Sequence, residues 1–131
     1  MAAAVLTVPA VPEQARAARL VAGAAARRAG VDPESLDDVR LAVAEAVARA
    51  VLRSMADRSP ESATVTVVMT DGPDDFEVAV TDSADVPGDE SADDEELALS
   101  VMRSLASDSR VEPRPEGGRT IVLAWPAALP R

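Results

Sequence analysis

The sequence contains no cysteine, no histidine and no lysine, and these absences exclude several kinds of chemistry. Without cysteine there is no disulfide framework, no thiol nucleophile and no cysteine-based zinc site. Without histidine there is no imidazole base and no Ser-His-Asp triad, which argues against a hydrolase of the usual kinds. All 13 basic residues are arginines, so the lysine ammonium group that commonly holds phosphates is missing too.

Aromatic residues are also scarce, since Phe76 and Trp125 are the only two in the chain. The core must therefore be built from many small Val, Ala and Leu contacts and not from large aromatic rings. A length of 131 residues with 47% apolar residues is sufficient for one compact domain. We predict a single domain over residues 1–131.

Long apolar runs are absent, and none approaches the roughly 20 residues that span a bilayer. The first residues lack the basic region of a signal peptide, so we expect a cytoplasmic protein with no membrane partner. The net charge of -10 disfavours direct binding to nucleic acid. This charge is uneven: residues 1–30 hold four arginines against Glu13 alone, whereas residues 85–96 hold seven acids and no base.

Two helices are predicted near the start of the chain. Pro12 and Gly30 bracket a segment rich in alanine and arginine, as expected for a first turn and a residue just past a helix end. Asp32 and Pro33 are typical of the N-cap and first position of a second helix, which should run to about Asp57. Two neighbouring apolar stripes predict that this second helix is buried over much of its circumference. The stripes comprise Leu36, Val39, Val43, Val47, Ala50 and Val51, and Leu41, Ala44, Ala48, Leu52 and Met55.

The remaining pattern predicts strands and a third helix. An acidic, aperiodic segment at 83–94 reads as a loop before a helix that contains Leu97, Val101, Met102 and Leu105. Predicted strands occupy residues 5–8, 63–69, 76–81, 110–114 and 120–125, the last four as two hairpins. The fold class is therefore an α/β sandwich (α+β), with one mostly antiparallel sheet covered on one face by about three helices.

Asp82 directly follows the third predicted strand, residues 76–81, and lies on its core-facing side. The period of two places it on the same side as Phe76, Val78 and Val80. A carboxylate that faces the interior needs a partner, because burying it unpaired is costly.

Four segments give the chain a resemblance to a known family: LDDVRLAVAEAVARAV, a strand ending VTD, LALSVMRSLASDSRVE and GGRTIVLAW. Over nearly its whole length the chain resembles the anti-sigma regulatory factors with a serine-kinase domain. These form a branch of the GHKL superfamily, whose members share the histidine-kinase-like ATPase (Bergerat-type) fold. In that family a helix Glu is the general base, an Asn four residues later holds magnesium against ATP, and a strand Asp binds adenine.

The resemblance assigns these roles to Glu45, Arg49 and Asp82, but Arg49 has no acceptor atom and cannot ligate a cation. The glycines that would follow the strand are replaced by Ala84 and Val86. Those that would open the third helix are replaced by Glu96 and Ala98, and Glu96 brings a negative charge to the phosphate position. The resemblance thus implies a degenerate nucleotide site at Arg49, Asp82, Ala84, Val86, Gly117, Gly118 and Thr120. Glu45 is its vestigial base, no metal is held, and ATP with Mg²⁺ binds weakly or not at all.

Several of these residues also have ordinary structural interpretations. Glu45 and Arg49 have the spacing of a favourable i to i+4 ion pair, worth roughly 0.2–0.5 kcal/mol. Asp82 could start an Asx turn. The acids at 93–96 could be macrodipole partners, and Gly117 and Gly118 a hairpin turn.

Three functions remain open at this point. The first is an anti-sigma-factor-like regulator that binds a sigma factor, a STAS-domain anti-anti-sigma factor or both, with Arg16 and Arg19 of the first helix at the interface. The second is an active ATP-dependent protein serine kinase that phosphorylates the STAS partner. The third is a module that binds only a STAS protein or a small ligand. The resemblance also implies a homodimer.

Overall fold

A computed structural model describes residues 2–56, 63–84 and 92–127. Within these ranges the chain forms five strands and three helices. They are β1 (Ala2–Pro9), α1 (Gln14–Ala29), α2 (Leu36–Ala56), β2 (Thr64–Asp71), β3 (Asp75–Asp82), α3 (Ala92–Leu105), β4 (Asp108–Pro113) and β5 (Arg119–Pro126). In this part of the chain no helix is both long and apolar enough to cross a membrane.

The strands form one antiparallel sheet in the order β1-β2-β3-β5-β4. Alternate residues of the three central strands are buried beneath the helices: Val65, Val67, Met69, Phe76, Val78, Val80, Ile121, Leu123 and Trp125. The predicted fold class is confirmed, since the described residues form an α+β fold with a five-stranded antiparallel sheet and three helices.

The helix boundaries follow from the signals in the sequence. Gly30 ends α1 with a φ of 91°, and its N–H donates to the carbonyls of Ala26 and Arg27. The Asp32 carboxylate accepts a hydrogen bond from the backbone N–H of Glu34 at 3.0 Å, as an N-cap does. A single 3-10 turn at Pro33–Ser35 then leads into α2.

The burial of α2 follows the prediction in part. All six residues of the first predicted stripe are buried, but Leu41, Leu52 and Met55 of the second stripe are each more than half exposed. The prediction that α2 is buried over much of its circumference is confirmed, since 16 of its 21 residues are buried or half-buried, but the second stripe was wrongly included at these three positions. The sheet lies beneath α2 and α1 packs beside it, so the second stripe is left facing outward.

The two aromatic residues contribute more to the core than the composition suggested. Phe76 and Trp125 are opposite each other on β3 and β5, both are buried, and their ring centroids lie 6.5 Å apart. The indole N–H of Trp125 donates to the carbonyl of Leu105 at 2.9 Å. This bond ties the end of α3 to the sheet and helps to fix where α3 lies.

Candidate functional site

Asp82 lies at the end of β3 with its side chain only 2% exposed. Its Oδ2 accepts a hydrogen bond from Nε of Arg53 at 3.1 Å, and its Oδ1 accepts one from the backbone N–H of Ala84 at 3.0 Å. The prediction that Asp82 faces the core is confirmed. The second contact is that of an Asx turn, so the structural alternative is confirmed as well.

Arg53 is the partner that the buried carboxylate required. Its Nη2 also donates to the carbonyl of Ala84 at 3.2 Å, so one guanidinium holds both the acid and the chain that follows it. The sequence analysis did not single out Arg53. A signal was nevertheless present, because Arg53 follows Arg49 by one helical turn and Glu45 by two, on the same side of α2.

A second cluster joins α2, α3 and β5 through one acid. Oε2 of Glu95 accepts hydrogen bonds from Arg49, at 3.2 Å to Nε and 2.7 Å to Nη2. Its Oε1 accepts a hydrogen bond from Nη1 of Arg119. The side chains of Arg49, Glu95 and Arg119 are 12%, 24% and 11% exposed, and we call these three residues the Glu95 triad.

The electrostatics of the Glu95 triad favour an ionised carboxylate. Partial burial acts to raise the pKa of Glu95, but the hydrogen bonds and charges of Arg119 and Arg49 outweigh burial and lower the pKa below its ordinary value. Glu95 therefore remains negatively charged throughout the neutral range.

Glu45 lies on α2 one turn before Arg49 and is half-buried. The ion pair allowed by their spacing does not form, because Arg49 is bound to Glu95 instead. Among the residues that the structure describes, Glu45 has no ion-pair partner.

The residues that replace the family's glycines lie in different parts of the structure. Ala84 is buried beside Asp82, and Val86 lies outside the described residues. Ala98 is buried against the core. Glu96 is largely exposed and pairs with Arg103 at 3.2 Å, so the acid of α3 that meets the arginines is Glu95 and not Glu96.

Gly117 and Gly118 form the turn between β4 and β5, with φ angles of 104° and 80°. The hairpin-turn alternative is therefore confirmed. A Cβ on Gly118 would lie 2.0 Å from the carbonyl oxygen of Asp82, whereas one on Gly117 would meet nothing within 4 Å. Gly118 is thus required for the close approach of this turn to the end of β3.

Thr120 lies on the opposite face of the sheet from Asp82. Its hydroxyl is 2.9 Å from that of Thr81, its cross-strand neighbour. Because side chains alternate along a strand, the preceding residue, Arg119, is the one that points toward α2 and α3. The structure therefore does not bring Thr120 together with the other predicted site residues, and Arg119 takes its place.

Four arginines converge around the end of β3. Besides Arg49, Arg53 and Arg119, the side chain of Arg114 donates from Nη1 to the carbonyl of Asp82 at 3.2 Å. Within the described ranges, no group of three or more acidic side chains is arranged to hold a metal ion. The chemistry of this region is therefore that of guanidinium groups and the anions they bind.

The predicted partner-binding residues lie on α1, away from this cluster. Arg16 is exposed and Arg19 half-buried, and neither forms an ion pair with a described residue. Two exposed apolar residues, Leu20 and Val21, follow them on the same helix. Both arginines are thus available for contact with another molecule.

Comparison with known proteins gives one finding about the family. The family model described as histidine kinase-like ATPase domain matches residues 8–125, which include every helix and all but the first residues of β1 and the last of β5. No curated protein matches the chain.

Proposed function

Since the chain belongs to the histidine kinase-like ATPase domain family, we propose that it is a regulator which keeps the family scaffold and acts by binding proteins. Its activity is that of an anti-sigma-like factor in a partner-switching system. It sequesters a sigma factor, binds a STAS-domain anti-anti-sigma factor, or both, as a homodimer. Magnesium-dependent ATP binding is weakened or lost.

One observation carries this proposal: the side chains at two of the nucleotide-binding positions, Arg49 and Asp82, are already bound to other groups of the chain. Both oxygens of Asp82 accept hydrogen bonds from within the chain, one from Arg53 and one from Ala84. A carboxylate with these partners is poorly placed to accept a hydrogen bond from the adenine amino group. If Arg53 moved away so that Asp82 could bind adenine, the buried negative charge of Asp82 would lose its compensating cation.

The residues at the metal position do not fit Mg²⁺ either. Magnesium is held by oxygen ligands, and Arg49 has only donors and a positive charge. Arg49 is also bound to Glu95 through two nitrogens. No step that passes through a magnesium-bound nucleotide can therefore be derived from this site.

The surface of α1 supports a protein-binding role. Arg16 and Arg19 provide positive charge beside the exposed side chains of Leu20 and Val21. Interfaces commonly combine apolar contact with charges that complement the partner. The positive charge of α1 would complement an acidic patch on a partner protein. The strongly acidic remainder of the chain would complement a basic patch.

The active kinase is the second candidate, and it is favoured by Glu45. This residue stands at the position of the family's general base, and its carboxylate forms no ion pair with a described residue. Arg49 would then have to hold a phosphate in the absence of the metal ligand.

The third candidate is a module that binds a STAS protein and no sigma factor. Capture of a STAS protein alone in a pull-down would support it.

A fluorescent ATP analogue separates the two candidates. The purified chain should show no saturable binding at micromolar concentrations, and adding magnesium should not change this result. Micromolar, magnesium-dependent binding, accompanied by phosphate transfer to a STAS protein, would contradict the proposal in favour of the kinase.

A pull-down from native cytosol with partner identification tests protein binding. We expect the wild-type chain to retain a sigma factor or a STAS protein. Reversing both interface charges, Arg16→Glu with Arg19→Glu, should reduce retention at least tenfold. The matched control reverses Arg27 and Arg28, which are exposed in the last turn of the same helix. Equal retention of the partner by both double variants would show that this part of α1 does not form the interface.

A further inference from the structure

We propose that a cavity between the last turn of α1, the start of β1 and the end of β2 binds a small zwitterion, an amino acid with an apolar side chain. In this site Arg28 holds the carboxylate of the amino acid and Asp71 holds its ammonium group. The cavity lies where β2 ends and β3 begins, whereas Asp82 lies at the other end of β3. The proposal is therefore independent of the function proposed above.

Small side chains leave room for the cavity. Its walls include Ala3 and Ala4 of β1 and Ala25 of α1, and its volume is about 210 Å³. Ala4 is in step with Leu6 and Val8 along β1, which places it on the helix-covered face of the sheet, yet Ala4 is exposed. The helix α1 therefore does not close over this corner of the sheet, and the cavity is open to solvent.

The apolar part of the lining is fixed by the core. Met69 and Phe76 both contribute to the cavity, and they are only 3% and 1% exposed. Their positions are set by packing on the sides that face away from the cavity. An apolar side chain of a bound amino acid is favoured here, because it displaces water from these two residues.

Asp71 contributes a negative charge from the end of β2. Val67 and Met69 are buried beneath the helices, and Asp71 is the next residue in the same alternation, so it lies on the helix-covered face as well. It is half-buried and forms no ion pair with a described residue. A carboxylate in this position calls for a positively charged partner.

Arg28 contributes a positive charge from the last turn of α1. It forms no ion pair with any described residue, Asp71 included. Two opposite charges thus line one cavity without meeting across it. A molecule with both signs of charge can pair with each of them, whereas an ion of one sign would leave the other side chain unpaired.

The volume of the cavity limits the size of the ligand. Sites for drug-sized molecules typically enclose roughly 300–1,000 Å³. The cavity is smaller than this range, at about 210 Å³, and so favours a small metabolite. An amino acid carries both charges at one end and its side chain at the other. Its charged end can therefore face Arg28 and Asp71 while its side chain contacts Met69 and Phe76.

The first test measures leucine binding by calorimetry. Two analogues share its branched apolar group, and each lacks one charge: 4-methylpentanoate has no ammonium group and 3-methylbutylamine has no carboxylate. Glycine keeps both charges and lacks the apolar group. We expect saturable leucine binding, with the two analogues and glycine each at least about tenfold weaker. Absence of leucine binding, or equally tight binding of any of the three, would overturn the proposal.

The second test uses variants with matched controls. Asp71→Asn and Arg28→Gln should each weaken leucine binding at least about tenfold, because each removes one charged partner. The controls Asp74→Asn and Arg27→Gln remove exposed charges from the adjacent turn and from the same turn of α1, and neither residue lines the cavity. Both controls should bind leucine like the wild-type chain. Equal affinity of all four variants would place leucine elsewhere and contradict the proposal.

Methionine methyl signals in NMR spectra locate the ligand in the wild-type chain. Leucine should shift the signal of Met69, whereas Met55 on the outside of α2 and Met102 in the core beside α3 should not respond. Ala25→Leu, which fills the cavity, should abolish the shift of Met69. Equal shifts at all three methionines, no shift at Met69, or an unchanged shift in Ala25→Leu would each overturn the proposed site.

Discussion

Two acid–arginine contacts lie within the same region of the fold, and they differ in how completely they are satisfied. Asp82 is almost fully buried, and each of its carboxylate oxygens has one partner, Arg53 or Ala84. Glu95 is about one quarter exposed and binds two arginines, one of which keeps two buried donors without an acceptor among the residues that the structure describes. The Asp82 contact is therefore fully satisfied within the chain, whereas the Glu95 triad leaves donors of Arg119 unused.

The largest expected effect tests the Asp82 contact. Replacing Arg53 with Met leaves a buried carboxylate without its cation and should reduce the free energy of unfolding by about 3–5 kcal/mol in urea denaturation. Adding Asp82→Asn removes the stranded charge and should recover most of that loss. A reduction below about 1 kcal/mol for Arg53→Met alone would show that this contact is no more structural than the Glu95 triad.

The second largest loss of stability is expected at the turn that contains Gly118. Ala at this position must adopt a positive φ and place its Cβ against the carbonyl of Asp82, so Gly118→Ala should cost more than about 2 kcal/mol. Gly117→Ala, which meets no neighbouring atom, should cost only about 1 kcal/mol. Equal losses in urea denaturation would mean that the close approach to Asp82 is not what requires glycine.

A smaller effect is expected at Glu95. Glu95→Gln leaves both arginines without a charged acceptor but retains a carbonyl oxygen, so the loss at pH 7 should be about 1–3 kcal/mol. Glu96→Gln on the exposed side of α3 should stay within about 0.5 kcal/mol of wild type. Similar values for the two variants would remove the distinction between the Glu95 triad and a surface ion pair.

The smallest effect is a dependence on pH. Because the pKa of Glu95 is lower in the folded chain than its ordinary value of 4.5, its contribution to stability is complete above that value. The contribution is lost as the pH falls from 4.5 through the folded pKa. Urea denaturation from pH 6 to pH 3 should therefore show a steeper loss for wild type than for Glu95→Gln. Parallel curves would show that Arg49 and Arg119 do not stabilise the ionised form.

Much of the fold was predictable because local signals and the global fold agree. Gly30 and Asp32 act as the predicted helix end and cap, and the alternation along β3 placed Asp82 in the core. The exposure of Leu41 and Leu52 was not predictable from periodicity, because an apolar stripe becomes buried only if another element covers it. The site was predicted in part: Arg49 and Asp82 belong to it, whereas Arg53, Glu95 and Arg119 complete it.

The sequence by itself determined which residue types are available and on which face of each helix or strand they lie, because these depend on local periodicity. Only the tertiary structure decided which arginine meets which acid. Arg53 and Asp82 are 29 positions apart, and Arg49 and Glu95 are 46 apart. An arginine side chain is long enough to reach any of several acids around it, as the choice of Glu95 over Glu45 shows. The pairing is therefore set by where the end of β3, the start of α3 and the start of β5 come together against α2.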